Sequence, residues 1–352
     1  MASLFSVPRY LTMPMVGIDI SDKSIRFVEL TASQTGYVLK HYGQISLPSN
    51  IVEKGRVVNP RELTKHLADL RDKYGFHFVK ASLPEEQAYL FQLSIPRIEK
   101  NLIRGSIEVQ LEEHVPLKVD EAIFDYEILE EHGSEYLLQV SLVAEEIVSE
   151  YADCFEAAEL TPIFFEIEAQ GVARAVIPEK DTSAHMIVDF GDSRTGITIV
   201  IHGTVVFTTT IDIGGRMLTD IIAKNFSIPV EEAEDIKRRY GLVKSKENED
   251  VYFALVNIVS ILRDEINKHF LYWHTHEAEK FKNGEIGKIV LCGGEANMIG
   301  LADYLRTTMR VSVDIANVWC NVDSFDNYVP PIPSNDSLTY ATAIGLSLAQ
   351  SS

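Results

Sequence analysis

The chain has 352 residues, enough for two domains with substantial cores, and a formal net charge of −20 with a pI near 4.9. That acidity argues against nucleic acid as the main partner, because phosphate contacts need clustered Lys and Arg, and against electrostatic attachment to anionic lipid. Cys154, Cys292 and Cys320 lack CxxC spacing, which argues against a disulfide framework or a zinc site and makes a reducing cytoplasm the expected compartment.

From the N-terminus, residues 1–15 lack a signal-peptide pattern, and Leu4, Phe5, Val7, Tyr10 and Leu11 are expected to pack on the first domain. Residues 15–48 read as three strands, with Ile25–Leu30 and Gly36–Tyr42 separated by the polar turn Ala32–Thr35. Leu63, Leu67 and Leu70 predict an amphipathic helix over Arg61–Tyr74, begun by Asn59 and Pro60. Val79–Leu83 is a short strand. Residues 84–144 read as an inserted subdomain: strand Tyr89–Ile95, helix Lys100–His114, and paired strands Ile123–Glu130 and Glu135–Ala144. Helix Glu145–Glu159, strand Ile163–Glu166 and helix Ala169–Ile177 follow.

The second half, 178–337, opens with strand–turn–strand Val188–Val200, then strand Thr204–Ile211 and the Gly214-Gly215 turn. Helices are expected at Arg216–Phe226, at Val230–Tyr240 with Gly241 as the stop, and over about 251–281. On the last of these Val256, Val259, Ile261, Leu262, Ile266 and Phe270 form the expected buried side. Strand Ile286–Leu291 runs into Cys292-Gly293-Gly294-Glu295, a helix contains Ile299–Met309, residues 321–337 read as loop, and Leu338–Leu348 closes the chain as a helix.

Two hairpins match. Gly17–Leu30 superposes on Val188–Val200 with Asp19 on Asp189, Ser21 on Gly191 and Asp22 on Asp192. Glycine lets backbone N–H groups approach an anion, and an aspartate beside such a turn suits a hydrated Mg²⁺ bridging to phosphate. Two such hairpins suggest duplicated domains clamping a nucleotide. The strand-Gly293-Gly294-helix turn can press backbone against a base or phosphate. Each feature has a blander reading. Asp19 and Asp189 can be turn-formers, Glu166 and Glu168 exposed acids at a helix start, and Glu234–Lys237 a surface pair at i,i+3.

Together these motifs resemble the actin-like ATPases, an α/β fold of duplicated ribonuclease H-like domains around a nucleotide cleft. Leu83-Pro84, Leu93–Pro96, Ile107–Leu117, Asp125–Leu129, Gly214–Thr219, Glu232–Lys237 and Ala343–Leu346 are similar to the PilM family of type IV pilus assembly, relatives of FtsA. The resemblance implies a first domain from 1–83, 145–177 and 338–352, an FtsA-type 1C insert at 84–144, and a second domain at 178–337 with a helical part near 216–282.

The resemblance also implies ATP or ADP with Mg as cofactors. Asp19, Ser21, Lys23 and Ser24 on one side and Asp189, Gly191, Ser193 and Thr195 on the other would face phosphates or Mg, which Asp19 and Asp189 would hold through water. The Gly214-Gly215 turn would join the cofactor-binding set. Glu234 and Lys237 would reach the ribose or adenine, Gly293, Gly294 and Met298 would line the nucleotide, and Glu166 would stand near the attacking water. Ser21 departs from the family's usual glycine; its hydroxyl could donate to phosphate instead, with Lys23 as a nearby cation. Binding with at most slow ATP hydrolysis is implied. The implied setting is the inner face of the cytoplasmic membrane, peripheral through partners: a PilN-like N-terminal peptide, other pilus platform and motor proteins, and a homo-oligomer. A small-molecule kinase and an FtsA-like filament-forming division protein are the alternatives. The first lacks an evident set of substrate-binding polar residues, and the second lacks a basic amphipathic C-terminal tail.

Overall fold

The computed structural model of the chain describes residues 15–349, so the expected packing of the residues before Met15 lies outside the described residues. Strands β1 (Met15–Ile20), β2 (Ser24–Ala32) and β3 (Tyr37–Ser46) form an antiparallel meander. The two-residue strands β4 (Val52–Glu53) and β5 (Arg56–Val57), too short to leave a periodic signal, pair with each other. Helix α1 (Pro60–Tyr74) starts where the Asn59 side chain accepts the Glu62 N–H and stops at Gly75, whose φ is +71°. Its Leu63, Leu67 and Leu70 face the core. Strands β6 (Phe78–Leu83) and β10 (Thr161–Ile167) add in parallel beside β1, giving the order β10-β6-β1-β2-β3.

The second sheet repeats this plan. Strands β11 (Ala184–Phe190), β12 (Thr195–Ile201) and β13 (Thr204–Ile211) form the meander. Strands β14 (Ile286–Cys292) and β15 (Ser312–Ile315) add in parallel beside β11, giving β13-β12-β11-β14-β15. The register repeats too: Asp19 pairs with Arg26 as Asp189 pairs with Gly196. Edge strand β15 has no counterpart in the sequence reading.

Between β6 and α3 (Glu145–Ala157), strands β7 (Ala88–Pro96), β8 (Ala122–His132) and β9 (Glu135–Ala144) form a separate antiparallel sheet in the order β7-β9-β8. Helix α2 (Lys100–His114) lays Ile103, Ile107 and Leu111 on it, making a core distinct from the main one.

The second sheet carries α5 (Gly215–Phe226), α6 (Val230–Tyr240) and α7 (Glu249–His276). Helix α7 is shorter at its C-terminus than expected and buries Leu255, Val259, Leu262, Ile266 and Trp273, whereas Ile261 is exposed. At 100° per residue, 261 points well away from the stripe through 255, 259, 262 and 266. Helix α8 (Leu301–Met309) starts after Gly300, whose φ of +81° keeps Ile299 outside it. The single turn α9 (Ser334–Ser337) and a 3₁₀ turn, Leu338–Tyr340, precede α10 (Ala341–Leu348).

Helices α4 (Glu168–Val176) and α10 cross at glycines. A Cβ on Gly345 would overlap the Gly171 carbonyl, and one on Gly17 of β1 would overlap the Ala343 carbonyl. The Ser347 hydroxyl, buried at this junction, accepts the Gly17 N–H at 3.1 Å and donates to the Val28 carbonyl at 2.7 Å. The helices therefore touch backbone to backbone, which only glycine permits. Gly345→Ala is expected to cost about 3 kcal/mol in urea unfolding through overpacking. Gly105→Ala, in an exposed stretch of α2 with open space around it, is expected to gain about 0.5–1 kcal/mol.

Candidate functional site

In both sheets the parallel strands end on one side, and loops leaving the C-terminal ends of parallel strands gather there, as ligand-binding residues do in open α/β sheets. Between them lies a cavity of about 870 Å³. Asp19, Ser82 and Asp189 are the last residues but one of β1, β6 and β11, Glu168 follows β10, and Gly293 follows β14.

The two hairpin turns are closed alike: the Ser21 N–H donates to the Ser24 carbonyl at 2.9 Å, and the Gly191 N–H to the Arg194 carbonyl at 3.0 Å. The duplication thus extends to the backbone hydrogen bond that closes each turn. Asp19, Ser21, Lys23, Asp189, Gly191 and Ser193 line the cavity from both sides. Asp19 accepts from the Ser82 hydroxyl at 2.9 Å and lies 3.8 Å from Arg26. Burial raises its carboxyl above the ordinary range, against the pull of Arg26. Burial, together with repulsion from Asp19, pushes Asp189 up to about 6.

Ser21 does not offer its hydroxyl outward. It donates to the Ser24 carbonyl at 3.1 Å and accepts the Ser24 N–H at 3.3 Å, so the hydroxyl expected to replace a phosphate-facing glycine is used to close its own turn. Ser24 is fully buried beneath that turn and does not reach the cavity. Thr195, also fully buried, donates to the Ile213 carbonyl at 2.6 Å. Gly214 and Gly215 likewise stand behind the wall. A Cβ on Gly214 would strike the Asp192 carbonyl, and the Gly215 N–H donates to the Gly191 carbonyl at 2.9 Å. These four residues brace the turns.

At the far end, Gly293 adopts φ +88°, and a Cβ there would overlap the Asp189 carboxylate. With Gly294 and Met298 it forms one wall. Glu234 and Lys237 form another, but not as a surface pair. The buried Lys237 ammonium meets Glu234 at 2.9 Å, Glu295 at 2.9 Å and the Gly215 carbonyl at 3.2 Å. Glu234 also accepts from Thr219 at 2.6 Å and Arg238 at 2.9 Å. Burial pushes the Glu234 carboxyl up, but these hydrogen bonds and Lys237 outweigh it, and the net direction is down. The network joins α5, α6 and the β14–α8 loop into one side of the cavity.

Glu166 is not in the lining. It forms a two-pronged ion pair with Arg174, one arm 2.7 Å long, and the same guanidinium donates to the Gly345 carbonyl at 3.0 Å. The acid that faces the cavity is Glu168, two residues on at the first position of α4. Burial holds its carboxyl well above the usual range, partly offset by Arg194.

The residue whose role the sequence reading missed is Arg194. It leaves the second turn, crosses to the first, and lies 3.5 Å from Asp22 with an ion pair to Glu86. Glu85, beside Glu86 in the 3₁₀ turn Glu85–Gln87, accepts from the Thr208 hydroxyl of β13 across the same gap. The available signals were an arginine within a phosphate-like turn and two acids just past the end of a parallel strand.

The lining holds ten carboxylates against six cationic side chains. Polyphosphate alone would be repelled, whereas a divalent cation would offset the excess. No group of three or more His, Cys, Asp or Glu side chains suited to a metal occurs among the described residues. Asp19 and Asp189, which both line the cavity, could supply the one or two carboxylates that Mg²⁺ bound with waters and phosphates would need.

Burial pushes Glu85 up to about 8, partly offset by the Thr208 hydroxyl. An acid with a raised folded pKa lends stability that is complete below about pH 4.5 and lost as pH rises through about 8. Glu85→Gln is therefore expected to flatten the decline in urea-unfolding stability over that window. At pH 8 the variant is expected to be more stable than wild type by on the order of 1–3 kcal/mol.

A family model described as type IV pilus assembly protein PilM matches residues 17–351. In structure, the chain aligns with a PilM-PilN type IV pilus biogenesis complex at TM-score 0.80 and 19% identity, over 97% of this chain and 98% of that one. It aligns with MreB5 of Spiroplasma citri bound to ADP at TM-score 0.58 and 15% identity, over 88% and 94%. Cell division protein FtsA of Staphylococcus epidermidis is 20% identical over 203 residues, which is 54% of this chain and 44% of that protein, so the chain spans less than half the length of this curated relative. The structural likenesses show an actin-like fold.

Proposed function

The chain belongs to the type IV pilus assembly protein PilM family, and we propose that within pilus assembly it works as a nucleotide-binding clamp that captures a short peptide of a membrane partner. The observation that carries the nucleotide reading is the pair of matched turns, each closed by the same hydrogen bond, facing one cavity with a glycine-walled pocket at its other end. Mg-ATP or Mg-ADP fits with its phosphates between the turns. Asp19 and Asp189 hold the metal through water, and the base lies toward α6 and Gly293-Gly294. The coarse chemistry is binding with slow hydrolysis at most, because Glu166 is tied to Arg174 and the remaining candidate acid, Glu168, is held toward its neutral form.

The partner in this reading is the cytoplasmic N-terminal peptide of a PilN-like protein, and the chain sits at the inner face of the cytoplasmic membrane through such partners. The aligned PilM-PilN complex supports that choice. No helix among the described residues is long and apolar enough to cross a membrane. The three-stranded subdomain with its own core offers a separate body beside the first sheet for that peptide. Nucleotide affects peptide binding only to the extent that it favours one relative position of the sheets over another. The family match over nearly the whole chain favours this reading over a division protein, whose similarity is partial.

Two experiments test it. In calorimetry with the full chain, Mg-ATP is expected to bind. Asp189→Asn should weaken it by about tenfold and remove the difference between Mg²⁺ and EDTA. A peptide with a photoreactive group, made from the N-terminus of a PilN-like protein, is expected to label residues within 84–144 and the adjoining first-sheet surface. Labelling confined to α5–α7 would place the partner elsewhere.

A further inference from the structure

The backbone of the second turn is fixed from behind. Gly191 and Asp192 accept from the Gly215 and Arg216 N–H groups at 2.9 Å each, and Thr195 is anchored to Ile213. What crosses the cleft from this rigid turn is the Arg194 side chain, 21% exposed, on Asp22 and Glu86. Its two partners are unequal. Asp22 has further support, accepting the Lys54 and Gly55 N–H groups at 3.2 and 3.1 Å. Glu86, whose side chain is 16% exposed, relies on the guanidinium, and it sits in the turn that leads from β6 into β7, the first strand of the three-stranded subdomain.

Phosphate and carboxylate compete for the same planar donor fork. We propose that Arg194 is a phosphate-responsive crossbar. It holds Glu86 when the turns stand alone and moves its guanidinium to a phosphoryl group when a nucleotide lies between them. Asp22 keeps its backbone donors after the transfer, whereas Glu86 loses its cation while still largely buried. Glu86 therefore leaves its seat, and the 85–96 segment loosens from the second sheet. Occupancy of the cleft is thereby passed to the seat of the three-stranded subdomain through a single side chain. The inference rests on the nucleotide reading above and adds the residue that reports occupancy.

The test combines calorimetry and amide hydrogen exchange on the full chain, using Mg-ATP and adenosine as probes. Arg194→Ala is expected to weaken Mg-ATP about tenfold or more and to leave adenosine within about twofold. Mg-ATP is expected to speed exchange across 85–96 in wild type. Glu86→Gln, which keeps Arg194, is expected to show that faster exchange without nucleotide and to bind Mg-ATP at least as tightly as wild type; Arg194→Lys is expected to fall between Arg194→Ala and wild type. The crossbar is overturned if Arg194→Ala weakens Mg-ATP and adenosine equally, or if Mg-ATP leaves exchange in 85–96 unchanged in a wild type that binds it. Failure of wild type to bind either probe overturns the nucleotide reading, and the crossbar with it.

Discussion

Arg194 carries a positive charge from the turn of the second sheet across the cleft to Asp22 and Glu86, carboxylates of the first half. Charges this covered are costly unless paired. Here Asp19, Asp22, Glu86, Glu168 and Asp189 outnumber Arg26 and Arg194, so several carboxyls are held above their ordinary range by burial. The cleft is thus left short of positive charge, and the proposed metal nucleotide would supply both the missing cation and an anion able to compete for Arg194.

The fold keeps this imbalance local. On the side away from the turns, α4 and α10 meet at Gly171 and Gly345 with backbone against backbone, and Ser347 ties α10 to β1 and β2. That junction is close-packed and further held by the Arg174 guanidinium, which joins Glu166 to the Gly345 carbonyl. The Lys237 network does the same for the outer wall, binding α5, α6 and the Gly293–Glu295 loop into one unit.

Much of this was legible in the sequence. The helix at Pro60–Tyr74 follows from the spacing of Leu63, Leu67 and Leu70 and from its Asn59-Pro60 start, and the helix expected at Lys100–His114 has those bounds in the structure. The matched hairpins followed from aligned aspartates and glycines, and the actin-like fold followed from the resemblance they carried. The site was read more coarsely, for identifiable reasons. Turn motifs name a neighbourhood and do not say which side chains face outward: Ser24, Thr195, Gly214 and Gly215, expected at the ligand, lie outside the cavity lining. Glu166, which the resemblance implies near the attacking water, is a β10 residue paired with Arg174, and the acid in the cavity lining is Glu168, the first residue of α4. Arg194, Glu85 and Glu86 act between elements far apart in sequence, and no local pattern records such a meeting. Ile261 was assigned to the buried face of α7 because hydrophobicity outweighed helical phase.

The central claim is that the two turns hold a metal nucleotide and that its phosphates displace the carboxylates from Arg194. A crystal structure of the chain with Mg²⁺ and a non-hydrolysable ATP analogue tests it most directly. Phosphate density is expected between residues 21–24 and 191–194, with the Arg194 guanidinium on a phosphoryl oxygen and Glu86 withdrawn from it. Nucleotide bound elsewhere, or bound between the turns with Arg194 still on Glu86, would contradict it.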